Sequence, residues 1–559
     1  MKLSKLLSLS ILPLVLLVSC DPIVDPTDTT SPSDTTTSDP TTDTSSSTDT
    51  SDSSSDTSVD PVATYYNYND KEEEITLRQA RKSTYLGDTP TIGTARILVL
   101  PIEFSDFPAE NMLRGAEGAR EDLHKAYFGE AEDTGWESLK SYYYKSSYGK
   151  LNITGQVLPW YRPTNNYGEW YATTDVVSSS GDDTGRAGGI LGKWEAEVYS
   201  KLWRNYLNED GEPYESRQAF LQDYDGDGDG FLDAVEMIYS APINHLGSKL
   251  FWAFRSRGTA QNPNKNSPEV ASYVWMGYDF LYENGYYEDG QYYDWTEQEI
   301  IDGVAKIDAH TIIHETGHCL GADDYYTYDN GDWGPLGGTD MMDHNIGDHN
   351  AYTKGIYGWG DAKVLTNEGE VSVKSFTDTG EMIMVPAYKE DGDVKNTFID
   401  NYLLIEYYKP TGLNEMDANY SFTGRYPKMP NAAGIRVYHV DARLGLFTYS
   451  KTKGWTFVRY VSQITSTDSE SYIGIANSNT KSRSAVANNR LIHVLEVSGQ
   501  NTLKSGLGKY SASMMWQEGD TFGYDTFVDF KLNNGDLLGY KFEVTAMSEE
   551  EVTINFSLA

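Results

Sequence analysis

The chain has 559 residues, and its 84 acidic side chains against 44 basic ones give a formal net charge of -40. A surface this acidic argues against nucleic acid as a partner, because carboxylates repel phosphates. Hydrophobic residues make up 39% of the chain, which is ample for a core, and the length predicts roughly three domain-sized units. The only two cysteines, Cys20 and Cys319, provide no disulfide framework.

The first twenty residues have the pattern of a bacterial secretory signal. Lys2 and Lys5 precede an apolar run, Leu6 to Val18, that is too short to span a membrane. The run ends in Leu-Val-Ser-Cys, which resembles the lipobox of bacterial lipoproteins, in which the cysteine is lipidated and becomes the mature N-terminus. We therefore predict a lipoprotein signal peptide at residues 1–20 and a lipid anchor on Cys20, at the extracellular face of a bacterial cell membrane. An ordinary cleaved signal is the alternative.

Residues 21–62 consist almost entirely of Asp, Ser, Thr and Pro, without one Lys, Arg or aromatic residue. Such a segment cannot bury enough apolar surface to fold, so we predict a disordered linker that holds the rest of the chain away from the cell surface. Residues 63–90 are interpreted as an N-terminal lead-in or an inhibitory prosegment, and the sequence leaves the choice open.

Ordered structure is predicted to begin near residue 91. The apolar run ARILVLPIEF, Ala95 to Phe104, predicts a buried strand, and a helix is predicted around Ala119 to Phe128. A further strand is predicted from Leu151 to Leu158, after a helix that ends near Tyr148.

The segment DGDGDGFLDAVE, Asp225 to Glu236, matches the calcium loop of EF-hands. Alternating carboxylates with glycines between them provide the oxygen ligands that a hard cation requires. We predict a structural Ca²⁺ whose ligands are Asp225, Asp227, Asp229, Asp233 and Glu236. Because Ala234 to Tyr239 has the pattern of a strand rather than an exiting helix, Glu236 could point elsewhere. An acidic turn without an ion is the alternative.

The stretch IDAHTIIHETGHCLGADDYY, Ile307 to Tyr326, contains an H-E-x-x-H motif at His314, Glu315 and His318. Side chains four residues apart share one face of a helix, so both imidazoles can converge on one metal ion. Glu315 is rotated off that face, where it can hold a metal-bound water instead of the metal. The motif predicts a zinc chelate with its own general base.

Asp324 is the predicted third ligand, with Asp323 as the alternative. Gly321 can end the helix in a left-handed conformation and turn the chain back toward the metal. Three protein ligands leave a fourth position for water, which is typical of catalytic rather than structural zinc. His310 lies one turn before His314, about 6 Å farther along the axis, and Cys319 points roughly 100° around the helix, so we exclude both from the ligand set. We interpret Cys319 as a buried free thiol.

Beyond the helix, GGTDMMD, Gly337 to Asp343, predicts a methionine turn in which Met342 forms an apolar floor beneath the metal. The helix motif, Asp324 and this turn resemble the immune inhibitor A type of secreted bacterial metallopeptidases, which are close to the metzincins but have aspartate in place of their third histidine. Supporting likenesses are ILVLPIEFSDFP, SYYYKSSYGKLNITGQV, the aspartate loop and GIRVYHVDAR. Together they extend from Ile97 toward the C-terminus.

The resemblance implies a zinc-dependent endopeptidase that acts on extracellular proteins, with a zinc-bound water activated by Glu315. It also implies an α+β zincin-like catalytic domain, with a mixed sheet, an active-site helix and a Met-turn, followed by a β-sandwich C-terminal domain. We place the catalytic domain at residues 91–365 and the accessory domain at residues 366–559. His349 and Tyr357 are candidates, by position only, for the donor that stabilises the oxyanion.

An edge strand commonly pairs with the substrate backbone in zinc peptidases, and Ala271 to Met276 is the candidate here. A surface insertion is the alternative.

From residue 371 onward the pattern changes to short alternating runs such as YLLIEYY, GIRVYHV and LIHVLEV, which indicate β-strands. Glu406, His439 and Asp441 are residue types that bind metals, but structural hydrogen bonds are the favoured interpretation of this set.

Two functions from different classes remain. The first is the active, surface-anchored peptidase. The second is a catalytically silent, calcium-stabilised adhesin or glycan-binding lipoprotein on the same scaffold. Silenced enzymes of this kind usually lose the general base, and the chain retains Glu315, which favours the enzyme.

Overall fold

The computed structural model describes residues 62–64, 89–164, 173–174, 183–243, 252–258, 263–288, 291–329, 331–392, 397–419, 427–450, 454–463, 472–505 and 508–559. The predicted signal peptide, the lipid anchor at Cys20, most of the linker and most of the lead-in lie outside these residues. Among the described residues no helix is both long and apolar enough to cross a membrane.

The described α-helices are α1 (Gly115–Phe128), α2 (Leu139–Ser146), α3 (Asp183–Ser200), α4 (Arg217–Asp223), α5 (Glu297–Ile301), α6 (His310–Leu320), α7 (Met341–His344), α8 (Ala351–Ile356), α9 (Phe376–Thr379) and α10 (Glu415–Asn419). The described strands are β1 (Val62–Thr64), β2 (Gly93–Ile102), β3 (Leu151–Val157), β4 (Phe231–Leu232), β5 (Ala234–Tyr239), β6 (Phe254–Arg257), β7 (Glu269–Val270), β8 (Ser272–Gly277), β9 (Tyr286–Glu288), β10 (Gln291–Tyr293), β11 (Asp361–Leu365), β12 (Gly369–Lys374), β13 (Glu381–Val385), β14 (Asn401–Tyr408), β15 (Gly434–Asp441), β16 (Leu444–Ser450), β17 (Gly454–Tyr460), β18 (Tyr472–Ile475), β19 (Ile492–Leu495), β20 (Thr521–Phe522), β21 (Tyr540–Met547) and β22 (Glu551–Leu558).

The first half of the chain is built on a five-stranded sheet with the order β3-β2-β5-β8-β6. Strands β3, β2, β5 and β8 are parallel, and β6 is antiparallel to β8. Strand β2 is buried from Ile97 onward because helices cover both faces of the sheet. Ile97 and Val99 face the cluster that includes helices α1, α2 and α6, whereas Leu98 and Leu100 pack with α3 and α4. The predicted strand and the predicted helix that follows it are confirmed as β2 and the greater part of α1.

The prediction that Ala271 to Met276 forms an edge strand is wrong. The corresponding strand, β8, pairs with β5 on one side and with β6 on the other. All six residues of β8 are buried. Strand β6 is the last strand in the order of this sheet. The sequence pattern could not distinguish the two strands, because both are short and pairing between distant segments decides which one lies inside.

The second half of the chain contains a six-stranded sheet, β1-β11-β13-β14-β15-β19, and a four-stranded sheet, β12-β22-β21-β20. Facing side chains of the two sheets form one hydrophobic cluster that includes Ile383 and Ile405 from one sheet and Phe542 and Ile554 from the other. A third, three-stranded sheet has the order β17-β16-β18. The fold is therefore mixed α and β with several sheets, which is compatible with the predicted α+β class.

The predicted boundary after residue 365 falls inside the six-stranded sheet. Strand β11, which precedes the boundary, pairs in parallel with β13, which follows it, with Asp361 opposite Glu381. Strand β1 also joins this sheet by pairing with β11, although Val62 was predicted to be the last linker residue. The two halves thus share backbone hydrogen bonds as well as side-chain contacts.

Candidate metal centre

Helix α6 carries the motif, and its end is set by glycine. All eleven residues of the helix are buried. Ile312, Ile313, Cys319 and Leu320 belong to the hydrophobic cluster that also contains residues of the first sheet and of the second half of the chain. Gly321 follows the last helical residue with φ 115°, a left-handed conformation, and its N–H donates to the carbonyl oxygens of Gly317 and His318. This is the predicted helix end, because glycine adopts that conformation without a steric penalty.

The turn after Gly321 brings three predicted ligands together. His314, His318 and Asp324 each place a ligand atom within 4.8 Å of the other two, and all three are buried. Asp324 Oδ1 lies 3.0 Å from His314 Nε2 and 3.3 Å from His318 Nε2. Asp323 is outside this group. Burial alone would raise the pKa of Asp324, but the adjacent His318 and His314 hold it well below its usual range, so the carboxylate is ionised.

Backbone carbonyl groups orient both imidazoles. His314 Nδ1 lies 2.8 Å from the Met341 carbonyl oxygen, and His318 Nδ1 lies 2.8 Å from that of Ala322. A carbonyl oxygen only accepts hydrogen bonds, so each Nδ1 must donate a proton to it, and Nε2, which lies near Asp324 Oδ1, is the ring nitrogen left to bind a metal. Partners of this kind commonly fix metal-binding histidines. The donor set of two imidazoles and one carboxylate therefore fits zinc.

Glu315 lies beside this group and is 2% exposed. Its Oε2 atom is buried and has no hydrogen-bond partner among the described residues. Burial raises the pKa of its carboxyl group, the two histidines lower it, and Asp324 raises it further. A buried carboxyl group without a protein partner for one oxygen is suited to receive a proton from water.

Met342 packs directly beneath the helix that holds the histidines. The side chain is fully buried, and a Cβ atom added at Gly317 would lie 2.7 Å from its sulfur. The Met342 carbonyl oxygen accepts a hydrogen bond from the N–H of Tyr325, the residue after the third ligand. Met342 therefore packs against the turn of helix α6 between His314 and His318, and its role as the floor of a metal site stays a prediction.

The two candidates for the oxyanion donor lie beneath helix α6. The Tyr357 hydroxyl donates to the carbonyl oxygen of Gly317 at 2.6 Å. His349 is fully buried among the rings of Tyr142, Tyr143, Tyr357 and Trp359. Burial lowers the pKa of His349 well below its usual value, with smaller contributions from Lys354 and His314. The Tyr357 hydroxyl is thus bound to the helix backbone and His349 is enclosed by aromatic rings, and a role of either residue as the oxyanion donor stays a prediction.

His310 and Cys319 lie outside the ligand group, as predicted. His310 Nδ1 lies 2.6 Å from Asp308 Oδ1, and the ring stacks on Trp136 with 4.2 Å between ring centroids. Cys319 is buried and forms no disulfide with another described residue.

The sequence contains no local signal for Tyr328, whose hydroxyl donates to Asp324 Oδ2, the carboxylate oxygen that does not face the histidines. It also gave no indication that residues 479–483, about 150 positions later, contact the loop around Tyr328. Only the fold brings these segments together.

A scan against protein-family models finds no match, and a search of curated proteins finds no significant relative.

The aspartate loop is the second acidic group that the structure assembles. Asp225, Asp227 and Asp229 place carboxylate oxygens within 4.8 Å of one another, with Asp225 buried and the other two exposed. Asp233 is not in this group, because its carboxylate accepts hydrogen bonds from the backbone N–H groups of Gly226 and Arg96.

The assignment of Glu236 to the calcium site is also wrong. Glu236 lies on β5 and is fully buried, and it accepts hydrogen bonds from the hydroxyls of Tyr127 at 2.6 Å and Thr316 at 2.7 Å. The chain continues as a strand after the loop, so the side chain points into the core toward helix α6.

The set Glu406, His439 and Asp441 does not form a ligand group. Glu406 pairs with Arg436, and Asp441 binds Arg443 through both oxygens. His439 Nε2 lies 3.1 Å from the side-chain amide of Asn401. Each residue makes structural hydrogen bonds, which was the favoured interpretation.

Proposed function

We propose that this protein is a zinc-dependent endopeptidase that hydrolyses peptide bonds of extracellular proteins. The observation that carries the proposal is the convergence of His314, His318 and Asp324, with Glu315 buried beside them and one of its oxygens without a protein partner. Three ligands leave a coordination position open, as in catalytic zinc sites. The resemblance to immune inhibitor A type metallopeptidases, and with it a zincin-like catalytic fold and a C-terminal β-sandwich, is part of the same proposal.

Different residues would bind the metal and transfer the proton. When bound, zinc supplies a Lewis acid that polarises the scissile carbonyl and acidifies water. Glu315 accepts the proton of the attacking water and returns it to the leaving amine. The carbonyl groups of Met341 and Ala322 keep the two imidazoles in the tautomer that binds metal. Met342, which is fully buried against Gly317, would form the apolar floor of the site.

The test uses the purified chain, the Glu315→Gln variant and, as a matched control, Glu132→Gln at an exposed position. Elemental analysis should find one zinc per chain in all three proteins. The wild type and the control should cleave unfolded casein, and Glu315→Gln should lose the cleavage by a factor of at least about 10², the lower end of what general base catalysis contributes. Stoichiometric zinc with no chelator-sensitive cleavage would reject the peptidase and favour a silent binding protein on the same scaffold.

We also propose that the protein is anchored at the cell surface through lipid on Cys20. The support is the lipobox-like sequence followed by a long polar linker. In a lipoprotein-processing bacterium, the wild type should remain in the membrane fraction and incorporate labelled fatty acid, whereas Cys20→Ala should do neither. Equal labelling of both proteins would exclude Cys20 as the anchor.

A third proposal concerns Ca²⁺, which we place at the aspartate loop as a structural ion. The three clustered carboxylates support it, because they repel one another unless a cation neutralises them.

A further inference from the structure

The loop that follows the third metal ligand is held by the second half of the chain. We call residues 325–329 the ligand loop and residues 479–483 the clamp. The Tyr328 N–H donates to Thr480 Oγ1 at 3.1 Å, and the Asn479 side-chain amide donates to the Tyr325 carbonyl oxygen at 2.8 Å. The guanidinium of Arg483 lies 4.3 Å from the centre of the Tyr328 ring. The clamp thus contacts both the backbone and the aromatic side chain of the ligand loop.

A further pair of contacts joins the same two segments. The carboxylate of Asp329 accepts hydrogen bonds from the backbone N–H of Ser482 at 2.9 Å and from its hydroxyl at 2.8 Å. The clamp is itself fixed to the six-stranded sheet, because Asn479 Oδ1 accepts a hydrogen bond from the N–H of Ile492, the first residue of β19, at 3.0 Å. The ligand loop is therefore hydrogen-bonded to a segment that is itself hydrogen-bonded to the six-stranded sheet.

Tyr328 links this support to the metal ligand. Its hydroxyl donates to Asp324 Oδ2, while Asp324 Oδ1 is the oxygen near both imidazoles. The phenol thus occupies one carboxylate oxygen and leaves the other directed at the metal position. A hydrogen bond of this kind fixes the rotation of a ligand carboxylate before the metal arrives, which reduces the free energy lost on binding.

We propose that Tyr328 and Arg483 are positioning residues, and that through them the second half of the chain sets the metal affinity of the three-ligand site. Arg483 fixes the Tyr328 ring by a cation–π contact, and Tyr328 fixes Asp324. This inference rests on the proposed zinc site and deepens it, since the segment predicted to be accessory becomes part of the metal-binding machinery.

The test is the zinc dissociation constant of the full chain, measured by competition with a chromophoric chelator. Tyr328→Phe keeps the ring and removes the hydrogen bond, so its affinity for zinc should fall by about 10- to 100-fold, the range for partners of metal ligands. Arg483→Ala should weaken binding less than Tyr328→Phe, and Arg483→Lys should restore most of the loss because it keeps the cation. Lys504→Ala removes a positive charge at an exposed position outside the clamp and should bind zinc like the wild type.

The thermal unfolding midpoints of the metal-free variants show whether a substitution changes the stability of the fold or only the affinity for zinc. A merely structural role would lower these midpoints and leave zinc affinity unchanged, and that result would overturn the inference. Wild-type affinity in both Tyr328→Phe and Arg483→Ala would also overturn it, whereas casein cleavage by those variants would leave the peptidase proposal intact. Conversely, zinc binding that depends on the clamp in a protein that cleaves no peptide would support the inference and reject the peptidase.

Discussion

At the residue scale, Glu236 joins the first sheet to the helix of the metal site. Its carboxylate accepts hydrogen bonds from Tyr127 on α1 and from Thr316 on α6, the residue after the proposed general base. Burial raises the pKa of Glu236 to about 7, against the two hydrogen bonds, and the charge of Glu315 raises it as well. A carboxyl group in this environment binds its proton more tightly in the folded protein than in the unfolded chain.

Stability should therefore depend on pH through Glu236. The unfolded carboxyl group titrates near 4.5 and the folded one near 7, so the stabilising effect of its proton is present at low pH and is lost as the pH rises through about 7. Glu236→Gln carries no titrating proton. Urea unfolding of the chelator-treated proteins should show the stability of the wild type falling relative to Glu236→Gln between pH 5 and pH 8. A difference that stays constant over this range would contradict the assignment.

Gly317 provides a second prediction at this scale, because two effects of Gly317→Ala oppose each other. Alanine inside a helix is favoured over glycine by about 1 kcal/mol. The added methyl group, however, would lie 2.7 Å from the Met342 sulfur and 3.2 Å from the Tyr143 hydroxyl oxygen, and overpacking of a core costs about 1–3 kcal/mol. We expect a net loss of stability in the wild-type background.

In Met342→Ala the closest atom is gone, so the same Gly317→Ala change should become neutral or stabilising. A double-mutant cycle by urea unfolding measures this coupling. Equal effects of Gly317→Ala in both backgrounds would show that Met342 does not pack against this turn of the helix.

At the scale of elements, the aspartate loop connects helix α4 to the short strand β4, which is followed by β5. Ca²⁺ bound to Asp225, Asp227 and Asp229 should stabilise the folded protein. An ion that binds only the folded state adds about 2.7 kcal/mol to the free energy of unfolding at a concentration 100 times its dissociation constant. Adding Ca²⁺ to metal-free protein should raise its melting temperature, and Asp225→Asn/Asp227→Asn should abolish the rise. Asp210→Asn, at an exposed acidic residue nearby, is the matched control. An unchanged melting temperature of the wild type would reject the ion.

The elements that the sequence predicted well are those with local signals. Strand β2 has a long apolar run. Helix α6 has two histidines, His314 and His318, four residues apart, and Gly321 at its end. The errors concern long-range packing. The position of β8 inside the sheet depends on β6, and Glu236 points into the core because the chain after the loop is a strand. The strand pattern after the loop indicated that Glu236 could point elsewhere, but its partners on α1 and α6 and the pairing of β8 with β6 depend on segments distant in the sequence. The role of Tyr328 was not predicted for the same reason, because its contacts with Thr480 and Arg483 come from the other half of the chain.

At the scale of the whole molecule, the two predicted domains share one core. A single hydrophobic cluster contains Val99 of the first sheet, Ile313 of helix α6 and Leu404 of the six-stranded sheet. Neighbouring residues of β13 alternate between this cluster and the one between the two C-terminal sheets, because successive side chains of a strand point to opposite faces. The six-stranded sheet thus lies between the metal-site half and the four-stranded sheet, and neither half can be removed without exposing apolar surface.

This arrangement predicts that the two halves do not unfold separately. Chemical unfolding followed by far-ultraviolet circular dichroism and by tryptophan fluorescence should give one coincident transition. A fragment of residues 62–365 should be insoluble or unfolded, because it loses the β13 partner of β11 and the apolar side chains of β14 and β15 that cover its core. A chain of residues 62–559 keeps all the described contacts and should unfold like the mature protein. Two separate transitions would contradict the shared core. A fragment of residues 62–365 that folds and binds zinc with the affinity of the intact chain would contradict both the shared core and the role of the clamp.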